Sequence, residues 1–198
     1  MAGVGQQTTS TDHRRATAER NVEAILDAAE RLLEGRKPLS IAAVAAASGV
    51  SRVTVYAHFE NLTALVEAVV ARSVEHATAA IAASEPASGT ALEALERLLQ
   101  HGWRELDRRD AVARAAAEHL PAESLRRQHE PLMGVLEELV ARGREEGAFR
   151  TDLPGQWLVT VFYALIHAAG DDVRAGRVES ADALRILSTT VRGVFQGA

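Results

Sequence analysis

Apolar residues recur at helical spacing along most of the chain. Between positions 21 and 34 they are separated by three or four residues, which places them on one face of a helix. These residues are Val22, Ile25, Leu26, Ala29, Leu32 and Leu33. Gly35 and Pro38 follow, and both residue types end helices. The pattern therefore predicts a first helix and a break after it.

Two much shorter helices are predicted next, over residues 41–47 and 52–58. Ser40 and Ser51 stand directly before them, where a hydroxyl oxygen can accept a hydrogen bond from the first backbone N–H groups. Gly49 lies between the two helices and tolerates the positive φ that a tight turn requires. Two short helices joined at a glycine turn have the form of a helix-turn-helix.

The remaining pattern predicts helices and no strands. A fourth helix is capped by Asn61 or Thr63 and ends near residue 83, and the segment 84–89 is the clearest linker in the chain. Further helices are predicted at 90–108, 110–119, 124–146, 154–175 and from Ser180 through Phe195. Pro131 marks a kink or a late start within one of them. The predicted fold class is all-α.

Composition narrows the possible protein classes. Of the 198 residues, 47% are hydrophobic, which is enough for a packed core. The absence of Cys excludes disulfides and thiolate metal sites. No apolar run approaches the ~20 residues of a membrane helix, and no signal-peptide pattern is present. We therefore expect a cytoplasmic protein without a membrane segment.

The net charge of −5 does not by itself indicate nucleic acid binding. Residues 1–65 are electrically neutral and residues 66–198 carry the whole negative charge. This asymmetry permits DNA binding at the N-terminal end without requiring it.

The segment 40–59 carries the chemistry of a DNA reader. Its second helix is short enough for its N-terminal end to enter a major groove. The side chains that this helix could present to DNA are Arg52, Val53, Thr54, Tyr56 and His58. The alternative is a helical hairpin inside an all-helical core.

Residues 22–66 resemble the TetR (tetracycline-repressor) family of bacterial regulators. The resemblance rests on Ile25-Leu26-Asp27-Ala28-Ala29, Gly35, Ala45, Gly49-Val50-Ser51, Thr54-Val55-Tyr56, His58-Phe59 and Leu65. It implies an all-α fold with an N-terminal three-helix DNA-binding domain and a larger C-terminal helical domain for ligand binding and dimerisation. The implied partners are a palindromic DNA operator, a second copy of the chain and a small-molecule effector.

By position, the resemblance implies roles for five residues of the second short helix and for Ser40. Arg52, Val53 and Tyr56 would face base edges, while Thr54, Tyr56 and His58 would hold phosphates and Ser40 would assist. An arginine can make a bidentate bond to guanine, and a valine can pack on a thymine methyl group. Hydroxyl and imidazole groups bond phosphates and set the register.

One departure from the family concerns charge. Members usually carry a Lys shortly after the His-Phe pair, where this chain has Leu62. Few phosphates would then be neutralised, which implies weak non-specific affinity and a shallow salt dependence. The cations available to supplement Arg52 are Arg14, Arg15, Arg36 and Lys37.

Three regions follow from these observations. Residues 1–18 are expected to be a disordered arm, the alternative being a basic arm that touches a minor groove or a phosphate. Residues 19–65 are the expected DNA-binding domain, and residues 66–198 the expected regulatory and dimerisation domain.

The last two helices carry broad apolar stripes. Two such helices from each chain would form a four-helix bundle around a two-fold axis, and the alternative is ordinary core within one chain. The expected dimer-interface residues are Leu158, Val161, Phe162, Leu165, Leu184, Leu187, Val191 and Phe195.

Scarce aromatic residues cluster in the C-terminal part and suggest an effector site. The candidates are Trp103, Met133, Phe162, Tyr163 and His167, with His101, His119 and His129 as further polar groups. Apolar walls with a few polar groups suit a small apolar or amphipathic molecule.

The expected function is a ligand-responsive transcriptional regulator, by family default a repressor that its effector releases from the operator. The first alternative is a DNA-binding regulator that has no small-molecule effector and is controlled by a protein partner. The second is a metal-dependent helical enzyme, to which His167 and Asp171 at helical spacing would contribute. Because catalytic and phosphate-binding motifs are absent, we expect no enzymatic activity, no metal and no cofactor.

Overall fold

A computed structural model describes the backbone of residues 5–196 and the side chains of residues 15–196. Within this range the chain forms ten helices and no strand, which confirms the all-α prediction. The helices are α1 (Gly5–Glu34), α2 (Ile41–Ser48), α3 (Arg52–His58), α4 (Leu62–Ala82), α5 (Ala91–Arg108), α6 (Asp110–His119), α7 (Ala122–Gln128), α8 (Glu130–Glu145), α9 (Gly155–Arg174) and α10 (Ser180–Gln196). None of them has the length and apolar character that crossing a membrane requires.

Two helices differ from the sequence-based expectation. Helix α1 extends back to Gly5, into the segment predicted as an arm without regular structure. Residues 6–20 contain neither glycine nor proline, and an Arg15–Glu19 ion pair of 2.9 Å spans one helical turn. The first four residues of the expected arm lie outside the described residues.

The predicted helix over residues 124–146 is divided into α7 and α8. Pro131 lies in the first turn of α8, where the missing N–H of proline costs no hydrogen bond. The same ring would clash with the preceding turn inside a continuous helix. The late start allowed for at Pro131 is therefore what the structure adopts.

The chain divides into two compact units. Unit 1 comprises residues 1–71 and 111–121, and unit 2 comprises residues 72–110 and 122–198. Unit 1 is built around α1, α2 and α3, and its most deeply buried side chains include Ile25, Val44, Val55 and Leu65. These side chains come from four helices, so the small core of unit 1 fixes α2 and α3 against α1.

Unit 2 is a helical bundle in which α5, α8, α9 and α10 pack around one core. Phe195 lies at its centre, fully buried, with its ring 5.2 Å from the ring of Phe149 and 6.3 Å from that of Phe162. Both contacts are edge-to-face, an arrangement that aromatic pairs prefer. The two C-terminal helices therefore contribute much of the core of their own chain.

The segment between α4 and α5 is held in place by two arginines. Arg97 on α5 and Arg142 on α8 together donate hydrogen bonds to every backbone carbonyl from residue 84 to residue 88. Arg142 Nη1, for example, lies 2.6 Å from the carbonyl oxygen of Ala87. Since these bonds involve charged donors, the predicted linker is an ordered loop of unit 2.

Two glycines of α8 differ in the space that surrounds them. A Cβ atom at Gly143 would lie 2.1 Å from the ring of Phe149, a distance that ordinary contacts do not allow. A Cβ atom at Gly134 would meet nothing within 4 Å. The close approach of Phe149 explains Gly143, and nothing in the structure explains Gly134.

The substitutions Gly134→Ala and Gly143→Ala should therefore change stability in opposite directions. Alanine at position 134 should raise the free energy of unfolding by up to about 1 kcal/mol, because alanine is the better helix former. Alanine at position 143 should lower it by about 1–3 kcal/mol, because the Phe149 ring must move. Urea unfolding of both variants at one protein concentration tests this, and a stabilised Gly143→Ala variant would contradict the packing described.

Candidate DNA-binding site

Helix α2 begins at a hydroxyl cap. Ser40 has extended backbone angles, and its Oγ accepts a hydrogen bond of 3.1 Å from the backbone N–H of Ala43. This bond satisfies one of the N–H groups that the first turn of a helix leaves without an intrahelical partner. The cap predicted from the sequence at Ser40 is confirmed.

The turn after α2 depends on Gly49. Its φ of 76° lies in the left-handed region, and its N–H bonds the carbonyl of Ala45 at 3.1 Å. A side chain would strain this conformation, which is why a glycine serves here. Ser51, which caps the next helix, follows two residues after Gly49.

Helix α3 has a hydroxyl cap of its own. Ser51 Oγ accepts from the backbone N–H of Thr54 at 3.0 Å and lies 2.8 Å from the Thr54 hydroxyl oxygen. At the other end the N–H of Phe59 bonds the carbonyl of Val55 at 2.8 Å. Both ends of this seven-residue helix are therefore defined by local hydrogen bonds.

A single residue of α3 is buried. Val55 is inaccessible to solvent, whereas Val53 is 79% exposed and Tyr56 is 56% exposed. Arg52 is exposed as well. Exposing two large apolar side chains on one short helix is unfavourable in water, so this face is suited to contact with another molecule.

The other three residues predicted to contact DNA are half-buried or already hydrogen-bonded. Thr54 is half-buried and its hydroxyl is engaged with Ser51. His58 is half-buried, with its ring 6.4 Å from that of Phe59. Ser40 is exposed, but its oxygen already serves the cap. Thr54 and His58 therefore lie on α3 beside the more exposed side chains of Arg52, Val53 and Tyr56.

Helix α4 begins at an amide cap. The amide oxygen of Asn61 accepts from the backbone N–H of Ala64 at 2.9 Å, so Asn61 is the cap that the sequence left open between two residues. Leu62, in the position of the usual lysine, is half-buried. Arg36 and Lys37 are exposed in the loop between α1 and α2, and Arg36 has a φ of 51°.

The candidate effector residues fall into two groups in unit 2. Trp103 and Phe162 are buried in the core, and Met133 packs against it. Tyr163 and His167 are half-buried, and their ring centroids are 4.3 Å apart. The structure thus brings together Tyr163 and His167, and it places Trp103 and Phe162 among the core side chains.

His129 joins Tyr163 and His167, whereas the other two histidines named as polar options do not. His101 bonds the Arg97 carbonyl at 2.7 Å within α5. His119 is exposed at the end of α6, in unit 1. Among the described residues, His167 and Asp171 are not part of a metal-binding group of three or more His, Cys, Asp or Glu side chains.

Most of the residues expected at the dimer interface are buried within their own chain. Leu158, Phe162, Leu187, Val191 and Phe195 all belong to the core of unit 2. Side chains already packed in one chain cannot also form the surface between two, so the interface has to be sought elsewhere on these helices. The other three expected residues, Val161, Leu165 and Leu184, are half-buried.

The outward faces of α9 and α10 carry residues that the sequence reasoning missed. Trp157 is 54% exposed and Ile186 is 40% exposed. Further exposed residues follow at helical spacing: Thr160, Ala164 and Ala168 on α9, and Thr189, Thr190 and Gly193 on α10. The sequence could have pointed to Trp157 and Ile186, because neither residue falls in the apolar stripe by which its helix packs into the core.

The N-terminal sequence matches a known family model. Residues 25–69 match the family model described as "Bacterial regulatory proteins, tetR family". This segment is similar to the N-terminal part of TetR-family proteins. The description names regulators, which agrees with the prediction that the chain is not an enzyme. Operator DNA, a second copy and an effector, the predicted partners, are those with which TetR regulators act.

Solved structures share the fold of the TetR-like chain. FadR from Bacillus subtilis, in complex with stearoyl-CoA, is 12% identical with a TM-score of 0.71, and the match covers 91% of this chain and 98% of that one. LfrR from Mycobacterium smegmatis, in complex with proflavine, is 23% identical with a TM-score of 0.63 and the same two coverages. PfmR from Thermus thermophilus is 17% identical with a TM-score of 0.64, covering 87% and 97%. No curated protein sequence matches the chain.

The cap at Ser51 can be tested without DNA. The variant Ser51→Ala should expose the amides of α3 to hydrogen exchange about fivefold faster, since losing a hydroxyl cap costs about 1 kcal/mol. The variant Ser51→Asn should exchange at the wild-type rate, because asparagine caps helices as well as serine does. Equal exchange in the alanine and wild-type proteins would show that the cap does not hold α3.

Proposed function

We propose that the chain is a dimeric transcriptional regulator whose α3 helix reads operator DNA and whose unit 2 binds a small-molecule effector. The observation that carries the proposal is the exposure of Arg52, Val53 and Tyr56 on a short helix with one buried side chain. The match of residues 25–69 to a family of DNA-binding regulators supports the same reading.

Each exposed side chain of α3 can make a different kind of contact with DNA. The Arg52 guanidinium can donate two hydrogen bonds to O6 and N7 of a guanine in the major groove. Val53 can pack on the methyl group of a thymine, and Tyr56 can offer its ring to base edges and its hydroxyl to a phosphate. Thr54 and His58, at the flank of this face, suit phosphate contacts that set the register.

Attraction between the protein's cations and the DNA phosphates should contribute little to the affinity. Between Ser40 and Leu62, Arg52 is the one full cation in the sequence, and Glu60 carries the opposite charge. Each neutralised phosphate adds about 0.9 to the slope of log affinity against log salt, so the slope should be shallow. The exposed Arg36 and Lys37 are the nearest further cations in the sequence that could add to it.

The second copy of the chain should bind to the outward faces of α9 and α10. Trp157 and Ile186 supply exposed apolar area there, and Ala164, Ala168 and Gly193 are small enough for helices to approach closely. A pair of such helices from each copy makes a four-helix interface with two-fold symmetry. Two recognition helices would then read two half-sites about one turn of duplex apart.

Effector binding in unit 2 would act by shifting a population. Solved structures of the same fold hold stearoyl-CoA in one case and proflavine in another. An effector that prefers the conformation with low operator affinity releases the DNA in proportion to that preference. By the default of the family that the chain resembles, the proposed regulator is a repressor that its ligand removes from the operator.

Replacing Arg52 tests the base-reading role. The variant Arg52→Ala should bind operator DNA from beside its own gene about 10- to 100-fold more weakly, since a bidentate contact contributes about 1–3 kcal/mol. Fluorescence anisotropy with operator and scrambled duplexes measures this. The control Arg104→Ala removes an exposed arginine from α5 in unit 2 and should bind like the wild type. If Arg52→Ala keeps its affinity for every duplex, α3 does not read bases through this side chain.

The dimer is tested by placing a charge on each of two exposed faces. In Ala164→Glu, two like charges would meet near the two-fold axis and raise the dissociation constant about 100-fold, since such pairs cost about 3 kcal/mol. In Ala141→Glu, the charge stands on the exposed face of α8 and should be harmless. Sedimentation should give twice the 21.2 kDa chain mass for the wild type and the control. A dimeric Ala164→Glu variant would place the interface elsewhere.

A further inference from the structure

Helices α8 and α9 end in the same backbone arrangement. After α8, the N–H of Gly147 bonds the carbonyl of Arg144 at 3.0 Å, and the N–H of Ala148 bonds that of Gly143 at 2.8 Å. The end of α9 repeats this pair of bonds with Gly176 in the place of Gly147. The two glycines have left-handed φ values of 67° and 69°. This is the Schellman motif, which requires one residue in the left-handed conformation.

Helix α1 ends with the same two bonds, but an arginine takes the left-handed position. The N–H of Arg36 bonds the carbonyl of Leu33 at 2.9 Å, and the N–H of Lys37 bonds that of Leu32 at 2.9 Å. The φ of Arg36 is 51°. Gly35 stands one residue earlier and does not have a positive φ. Helix α1 therefore carries a side chain where α8 and α9 have none.

This choice of residue is unfavourable for the fold. In the left-handed conformation the Cβ atom of an L-residue comes too close to the following carbonyl oxygen, whereas glycine has no Cβ atom. Glycine at position 36 would form the same turn without this contact. Because residues held in such strained conformations are concentrated at functional sites, the side chain of Arg36 calls for an explanation.

Contacts within the protein explain the other positive φ but not that of Arg36. Among the described non-glycine residues, Glu85 also has a positive φ, of 52°. Its carboxylate accepts a hydrogen bond of 3.2 Å from Ser88, and its carbonyl accepts one of 3.1 Å from Arg97. The exposed side chain of Arg36 forms no ion pair or hydrogen bond within residues 15–196. Its guanidinium group is therefore available to another molecule.

The position of Arg36 favours contact with the DNA backbone. Arg36 precedes Ser40, the cap of α2, by four residues and belongs to unit 1, which also contains α3. In a helix-turn-helix the second helix enters the major groove while the first crosses the sugar–phosphate backbone. The loop that leads into α2 then lies near phosphates when α3 is in the groove. A guanidinium group can bind a phosphate through two parallel N–H groups.

We propose that Arg36 binds a phosphate of the operator backbone and that this contact is the function of the left-handed arginine. The inference rests on the proposed function and names a residue that positions α3 on the duplex without reading bases. It also assigns a second cation to DNA binding, besides Arg52 on α3 itself. Glycine at position 36 should consequently improve the stability of the fold and impair DNA binding.

The stability of the DNA-free protein tests the first half of this expectation. Arg36→Gly should raise the unfolding temperature by about 2 °C, since relief of the left-handed Cβ contact exceeds the entropy that glycine loses on folding. Arg36→Ala keeps the Cβ atom and should unfold at the wild-type temperature. Calorimetry at one protein concentration measures both. An Arg36→Gly variant no more stable than Arg36→Ala would contradict the claim that this arginine costs stability.

The salt dependence of DNA binding tests the second half. Arg36→Gly and Arg36→Ala should both lower the slope of log affinity against log salt by about 1.8, which is about 0.9 for each of two half-sites. This corresponds to about 60-fold in affinity between 1 M and 0.1 M salt. Arg36→Lys keeps the charge and should keep the slope, as should the control Arg104→Ala on α5. Fluorescence anisotropy over a salt series measures the slopes, and a wild-type slope in Arg36→Gly would overturn the inference.

Operator and scrambled duplexes separate this inference from the proposed function. Loss of a phosphate contact should weaken binding to both duplexes equally, whereas Arg52→Ala should weaken binding to the operator more. If Arg52→Ala behaves in this way and the Arg36 variants bind like the wild type, the inference fails and the regulator function stands. A wild-type protein that binds neither duplex would refute both.

Discussion

The arrangement of the DNA-binding surface depends on the pair of hydroxyl caps on either side of Gly49. A helix of seven residues is far too short to be stable alone, since helix nucleation is costly. Ser51 satisfies the start of α3, Phe59 closes its end, and Val55 packs into the core of unit 1. Because one buried side chain is sufficient to hold α3 between its caps, the other positions of the helix are available for recognition.

The large exposed apolar side chains of the described residues fall into two pairs, and each pair has a function in this account. Val53 and Tyr56 belong to α3, while Trp157 and Ile186 belong to α9 and α10. The first pair suits base edges and the second suits a copy of the chain. A chain with a net charge of −5 can still offer such a surface, because base edges are read by local hydrogen bonds and apolar contacts.

Helix positions could be predicted from the sequence because they depend on local signals. Apolar spacing, the caps at Ser40 and Ser51 and the glycine stops gave the bounds of most helices to within a residue or two. The split at His129 was harder, because Pro131 permits both a kink and a new start. Local signals also identified the residues of α3, since most positions of so short a helix are exposed.

The features that escaped the sequence depend on distant contacts. An apolar stripe looks the same whether it meets its own chain or another, so Leu158 and Phe195 were taken for interface residues although they are core. The loop at residues 84–88 is ordered by Arg97 and Arg142 from two separate helices, and no local pattern announces such a contact.

The most direct test of the central claim is methylation interference on the operator with the wild type and the Arg52→Ala variant. Methylation of guanine N7 lies in the major groove and blocks an arginine that bonds there. The account predicts one guanine in each half-site whose methylation prevents wild-type binding and no longer affects the variant. An identical interference pattern for both proteins would contradict it.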